Sequence, residues 1–140
     1  MRYFISGHGW LTQEQFEKYY VPVLDNILYG AEDESFDGDP DPWFVIGDFK
    51  GVDIMAQQYI VDAGIGDRLI VYHMFEKPRN LAVSKVYQIK TIGGFKSDEE
   101  RDAAMTANSD FDIAFIFRKN SGTERNIKRR YLKLSDTEEK

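Results

Sequence analysis

Three clusters in this chain combine glycine with side chains able to hold an anion or move a proton: Ser6-Gly7-His8-Gly9, Gly47-Asp48-Phe49-Lys50-Gly51-Val52-Asp53 and Ser121-Gly122-Thr123. In the last, glycine lets backbone approach a phosphate, the hydroxyls donate hydrogen bonds, and a helix starting there presents unpaired N–H groups. The same residues could serve simply as a helix cap. The middle cluster sets two carboxylates and a lysine between glycines. One carboxylate could hydrogen-bond ribose hydroxyls, while Lys50 could meet phosphate or pair with Asp48. Turn and N-cap chemistry is the competing reading for Asp48 and Asp53. His8 could donate to an anion, whereas His73, at a strand end, reads as structural.

Other chemistries find no support. The chain has neither a G-x-S-x-G elbow nor an H-E-x-x-H pair, which removes the serine-hydrolase and zinc-protease readings. Asp37, Asp39 and Asp41 alternate like the opening of a calcium loop, but its sixth position is Pro42, where glycine is needed. The stretch 31–42 therefore reads as an acidic surface connection, and no metal is expected. Cysteine is absent, so disulfides and thiolate ligation are unavailable, and nothing calls for a cofactor. A net charge of -6 argues against general nucleic-acid binding, which needs clustered Lys and Arg. The basic run Arg125, Lys128, Arg129, Arg130 and Lys133 reads as a solvated helix face. The first residues lack the apolar core of a signal peptide, and no segment approaches the roughly 20 apolar residues of a membrane span. A soluble, cytoplasmic protein is expected.

Positioning the clusters requires short strands, each ending at a turn. Arg2–Ser6, Trp43–Ile46, Arg68–Tyr72 and Asp112–Phe117 have buried-strand signatures. Thr12 with Gln15 forms a capping box, and Phe16, Tyr19, Tyr20, Val23, Leu24, Ile27 and Leu28 repeat at helical spacing, with Pro22 predicting a kink or break. Val52, Met55, Ala56, Tyr59, Ile60 and Ala63 mark a second helix, stopped by Gly64 and Gly66. Ser97 with Glu100 opens a third, through Met105, and the last follows Thr123. Between His73 and Phe95 the pattern is ambiguous, and V-Y-Q-I-K-T-I suits a short strand or an extended connection. With 42% hydrophobic residues in 140, one core and a single domain, 1–140, are expected. The alternation predicts an α/β, Rossmann-like three-layer sandwich, a mostly parallel sheet with helices on both faces. In such sheets ligands lie beyond the strand carboxyl ends, so the polar clusters and His73 should converge on one rim.

F-I-S-G-H at the first turn, G-D-F-K-G-V-D at the second, G-G-F-K-S-D-E-E-R-D-A-A-M-T-A-N-S-D-F-D-I-A into the last strand and S-G-T-E-R-N-I after it resemble, in register, the SLOG superfamily. That Rossmann-like group includes the DprA-like DNA-processing proteins and the lonely-guy phosphoribohydrolases. The similarity is to its small stand-alone bacterial and phage members of the YspA/YpsA-related kind. It implies a nucleotide or nucleotide-derived ligand on the strand-end rim. By position it implies Ser6 and Gly7 near that ligand, Gly47, Asp48 and Gly51 shaping the second loop, and Ser121, Gly122 and Thr123 on phosphate. Arg101 would approach from the preceding helix, or instead pair with Asp98 or Asp102. The phosphoribohydrolases carry G-T-x-x-E, whose carboxylate assists N-glycosidic cleavage, but here Asn126 occupies the glutamate position. An amide can bind sugar hydroxyls but cannot act as nucleophile or base.

Three functions stay open at this point. One is a sensor or sequestering module for a nucleoside phosphate or ADP-ribose-like ligand. Another is an N-glycosidase or transferase acting on nucleoside monophosphates with Asp48, Asp53 or, less directly, Glu124 as carboxylate. The third is an interaction subunit with a vestigial pocket. Aromatics in F-E-K-Y-Y, or Trp10, could build a homo-oligomer face, although a helix stripe more often supplies core.

Overall fold

The computed structural model describes residues 1–138. Strands β1 (Arg2–Ile5), β2 (Trp43–Gly47), β3 (Leu69–Met74), β4 (Lys90–Phe95) and β5 (Phe111–Ile113) form one all-parallel sheet in the order β4-β3-β2-β1-β5. Successive residues of a strand face opposite sides, and this alternation builds the layers. Tyr3, Ile5, Phe44, Ile46, Val71 and Ile113 share one core with helices α1 (Gln13–Tyr19), α2 (Val21–Tyr29) and α3 (Val52–Asp62). Phe4, Val45 and Tyr72 pack on the opposite side with Met105 of α4 (Asp98–Ala107). Helix α5 (Gly122–Glu138) packs against α4 and β5. The fold is therefore α/β with a Rossmann-like three-layer arrangement.

The first helical stretch breaks where proline requires it. Thr12 Oγ1 accepts the Gln15 N–H at 3.1 Å and Gln15 Oε1 accepts the Thr12 N–H at 3.0 Å, which starts α1. Pro22 falls in the first turn of α2, where its missing N–H costs nothing. Phe16 and Tyr20 are fully buried and stacked at 5.4 Å, so F-E-K-Y-Y contributes core side chains rather than an oligomer face.

The ambiguous stretch divides into an extended crossover and a strand. Lys90–Phe95 is β4, and residues 75–89 run to it without a helix. Two glutamines of α3 hold that crossover. Gln57 Oε1 accepts the Ala82 N–H at 2.9 Å, and Gln58 Oε1 accepts the Val83 N–H at 3.2 Å. Their side chains take over backbone pairing that a crossover helix would have made internally.

Two strand expectations need correction. β3 runs two residues further than expected, through a register shift between Tyr72 and Met74, so His73 lies buried inside the strand and not on the rim. β5 stops at Ile113 rather than Phe117. Its partner β1 ends at Ile5, and the Ser6 N–H to Ile113 carbonyl bond of 3.1 Å closes the ladder. Beyond it, side chains replace the missing strand: Tyr20 Oη accepts the Phe115 N–H at 3.2 Å and His8 Nε2 the Phe117 N–H at 2.9 Å.

Candidate functional site

In this strand order the chain moves outward from β1 through β2 and β3 to β4, then returns to the other side of β1 as β5. The direction of winding reverses between β1 and β5, and the loops leaving those two strands separate. A cavity of about 480 Å³ opens there, lined by the turn after β1, by Phe49, Lys50 and Asp53, by α4, and by residues flanking the start of α5.

Backbone close packing fixes the two early loops against each other. A Cβ on Gly51, whose φ is +76°, would lie 2.5 Å from the His8 carbonyl oxygen, and one on Gly7 would lie 2.4 Å from Tyr20 Oη. Only glycine permits both approaches. Gly47 is equally confined, since a Cβ there would meet Asp53 Oδ2 at 2.6 Å.

Asp48 does not reach the cavity. Its carboxylate is fully buried and accepts the Arg79 N–H at 2.8 Å, Arg79 Nε at 3.2 Å, Arg79 Nη2 at 2.9 Å and Arg101 Nη1 at 2.7 Å. Burial alone would push its pKa up; the hydrogen bonds and charge of Arg79, with the charge of Arg101, override that and hold it below the ordinary range. A carboxylate so engaged has no lone pair left for sugar or proton transfer. The expected ligand-binding or catalytic role of Asp48 is thus replaced by an anchoring one.

Asp53, five residues on, has the opposite environment. It lines the cavity from the first turn of α3 and accepts the Phe49 N–H at 3.0 Å. Burial pushes its carboxyl up to about 7, against the pull of Arg101 and the Phe49 N–H and with the charges of Asp102 and Asp48 adding to the rise. Arg101 is itself buried, donating to Asp102 at 2.9 Å and lying 3.3 Å from Asp98. Both expectations hold in the geometry: the ion pairs are present, and the side chain approaches the cavity from α4.

The opposite wall is cationic. Arg118, Arg125 and Arg129 line it around the amino end of α5, and Lys50 adds a cation from the loop between β2 and α3. Ser121 Oγ accepts the Glu124 N–H at 3.2 Å while Glu124 Oε2 accepts the Asn120 N–H at 2.9 Å, so S-G-T-E does cap the helix. Glu124 pairs with Lys128 at 3.0 Å outside the cavity lining, and that hydrogen bond, with the Asn120 N–H, lowers its pKa. It is no substitute for the missing carboxylate. Gly122, Thr123 and Asn126 do line the cavity, with Asn126 Oδ1 accepting from Arg129 Nη1 at 2.6 Å.

Of two further positions, His8 keeps one ring donor and the basic run of α5 departs from the sequence reading. His8 faces the cavity, but its Nε2 is taken by the Phe117 N–H, leaving Nδ1 with the proton of the neutral ring. Burial, then the charge of Arg118, lowers its pKa and favours that neutral form. The basic run of α5 is not uniformly solvated either: Arg130 is buried, donating to the Ser109 carbonyl at 2.6 Å and pairing with Asp112 at 3.2 Å. Lys133 donates to the carbonyls of Thr106 and Ala107, each at 3.2 Å, at the carboxyl end of α4.

Ser6 completes the site. The residue is 6% exposed and lines the cavity, and its Oγ has no hydrogen-bond partner among the described residues. Leaving such a group unpaired costs about 1–3 kcal/mol, which a ligand able to bond it would recover. No group of three or more His, Asp or Glu side chains among the described residues is arranged to hold a metal ion.

Arg79, Trp10 and Arg118 shape the site without having been singled out for it from sequence. Arg79 sits in a loop with no periodicity, 31 residues from the carboxylate it anchors. The signal for Arg118 was its place directly after an apolar run that ends at the rim. Comparison with protein-family models, with curated proteins and with solved structures gives no match.

Proposed function

We propose that the cavity binds a phosphorylated nucleoside or a related nucleotide-derived ligand, and that the protein senses or sequesters it. The observation carrying this reading is the convergence, in one cavity at the winding reversal, of a cationic wall with the unpartnered Ser6 hydroxyl. Lys50, Arg118, Arg125 and Arg129 gather there in a chain of net charge -6 and can meet an anion, while Asp98, Glu99 and Asp102 of α4 line the same cavity. The start of α5 adds its N–H groups and dipole to the same wall. Asp102, which also lines the cavity, is engaged by Arg101 and Asn126, and the exposed Asp98 is left as the acceptor suited to a ribose hydroxyl. The resemblance to the SLOG superfamily supports the same ligand class and the same rim.

Calorimetry with nucleoside mono-, di- and triphosphates, ADP-ribose and the matching unphosphorylated nucleosides tests this. Phosphorylated compounds should bind, nucleosides should bind at least tenfold more weakly, and a double variant Arg118→Ala, Arg125→Ala should lose the difference. Equal affinity for nucleosides and nucleotides, or no binding by any of them, would sink the reading.

Asp53 favours a second reading as an N-glycosidase. A cavity-lining carboxyl titrating at about 7 is poised to give or take a proton near neutral pH, which Asn126 cannot do. Base release from a bound monophosphate, abolished in Asp53→Asn while binding persists, would support turnover; full activity in that variant would exclude this carboxyl.

A further inference from the structure

Trp10 is half exposed, at 50%, beside Leu11, which is buried, yet its indole is held firmly. The His8 ring stacks on it at 4.8 Å and 13°, and the Phe117 ring meets its edge at 6.3 Å and 70°. His8 is itself immobilised: its Nε2 takes the Phe117 N–H, and its carbonyl takes the N–H groups of Leu11 at 3.3 Å and Val52 at 3.4 Å. Stacking on His8 covers one indole face and leaves the other open, in a residue that lines the cavity. Phe49, the other exposed aromatic lining the same cavity closely, already has the Arg79 guanidinium over its ring at 5.3 Å.

We propose that Trp10 is the stacking platform for the ligand's heterocyclic base, which lies on the indole face opposite His8, and that it separates nucleotides from bare sugar phosphates. This inference rests on the reading of the cavity as a nucleotide site. An aromatic face accepts any base, because every base offers a π surface, so the platform contributes affinity without choosing among purines and pyrimidines. Its orientation is set before the ligand arrives, by the bonds that lock His8, so little ordering cost falls on binding. The lowered pKa of His8 keeps its imidazole neutral beneath the indole near pH 7. The basic wall and the start of α5 then take the phosphate, and the open indole takes the other end of the molecule.

The chain has two tryptophans, and the second, Trp43, begins β2 at the opposite end of the sheet from the cavity. A Trp43→Phe background therefore makes Trp10 the only tryptophan emitter. AMP, GMP, CMP, UMP and ADP-ribose are titrated against that protein, with ribose 5-phosphate as the ligand lacking a base. At least one nucleotide should quench Trp10 emission on binding, whereas ribose 5-phosphate, measured by calorimetry or by competition, should bind without quenching. Trp10→Ala should lower affinity for that nucleotide about tenfold, leave ribose 5-phosphate unaffected, and be largely rescued by Trp10→Phe. Unchanged melting temperature in Trp10→Ala shows that the fold is intact. Nucleotide binding with neither quenching nor loss in Trp10→Ala would overturn the platform while leaving the cavity reading in place. Absence of binding by nucleotides and ribose 5-phosphate alike would overturn both.

Discussion

Asp48 and Asp53 lie a single loop apart at the end of β2 and the start of α3, and both are buried, yet they are driven to opposite protonation behaviour. Asp48 is enclosed by Arg79 and Arg101 and stays ionised. Asp53 has one backbone donor and only the more distant charge of Arg101, so desolvation governs it. Burial alone does not decide what a carboxylate does; the number of donors that reach it does. The difference divides the labour of the loop, with the paired group holding structure and the underpaired group free to react.

The largest effect should come from breaking the paired side. Asp48→Asn leaves two guanidinium groups facing an amide that cannot neutralise them, at a cost of about 3–5 kcal/mol. Thermal unfolding should show a fall of roughly 10–20 °C in Tm; a fall of a degree or two would mean that the Arg79 and Arg101 bonds contribute little. Asp53→Asn should act in the other direction. Its folded pKa of about 7 lies above the unfolded value of 3.8, so the folded state binds the extra proton between them. Stability tied to that group is fully present below pH 3.8 and is lost as pH rises through 7. Removing the charge should therefore stabilise the protein progressively from pH 4 to pH 7, by up to about 4 kcal/mol above it. Denaturant titrations at pH 4 and pH 8 check the sign; equal effects at the two would place the Asp53 pKa in the ordinary range. The smallest effect belongs to Glu124, a half-buried surface carboxylate whose pKa is lowered by Lys128 and a backbone N–H. Its contribution is present above its ordinary pKa and fades as pH falls below it, and water screens it throughout. Glu124→Gln should leave nucleotide affinity unchanged and Tm within scatter, and a clear loss of affinity would bring this residue back into the site.

The contrast between the two aspartates was invisible in the sequence, where each read as turn, cap or ligand. What separates them is Arg79, which reaches Asp48 from a crossover that neither helical nor strand periodicity describes. The elements themselves were legible because their signals are local: Thr12 with Gln15, Ser97 with Glu100 and the short continuous apolar runs of β1 and β2 all depend on neighbours within a few residues. β5 was overextended for the complementary reason. Its apolar run promised a strand, but strand length depends on the partner, and β1 turns away at Gly7. Arg130 escaped the sequence reading likewise, since the buried Ser109 carbonyl decides what it bonds. The strand-end position of the cavity, by contrast, follows from strand polarity alone, although His73 and Asp48 do not reach it.

The extended crossover has a kinetic consequence. Asp48 receives its neutralising cations from 31 and 53 residues away, so loop closure must precede any relief of its burial. These bonds join the end of β2, the crossover and α4, so they close only once all three are in place. The destabilisation in Asp48→Asn should then reside in a faster unfolding arm of the chevron, with the refolding arm nearly unmoved. Arg79 acts in this sense as a latch on an already folded sheet, setting how long the site endures once made rather than how quickly it is reached.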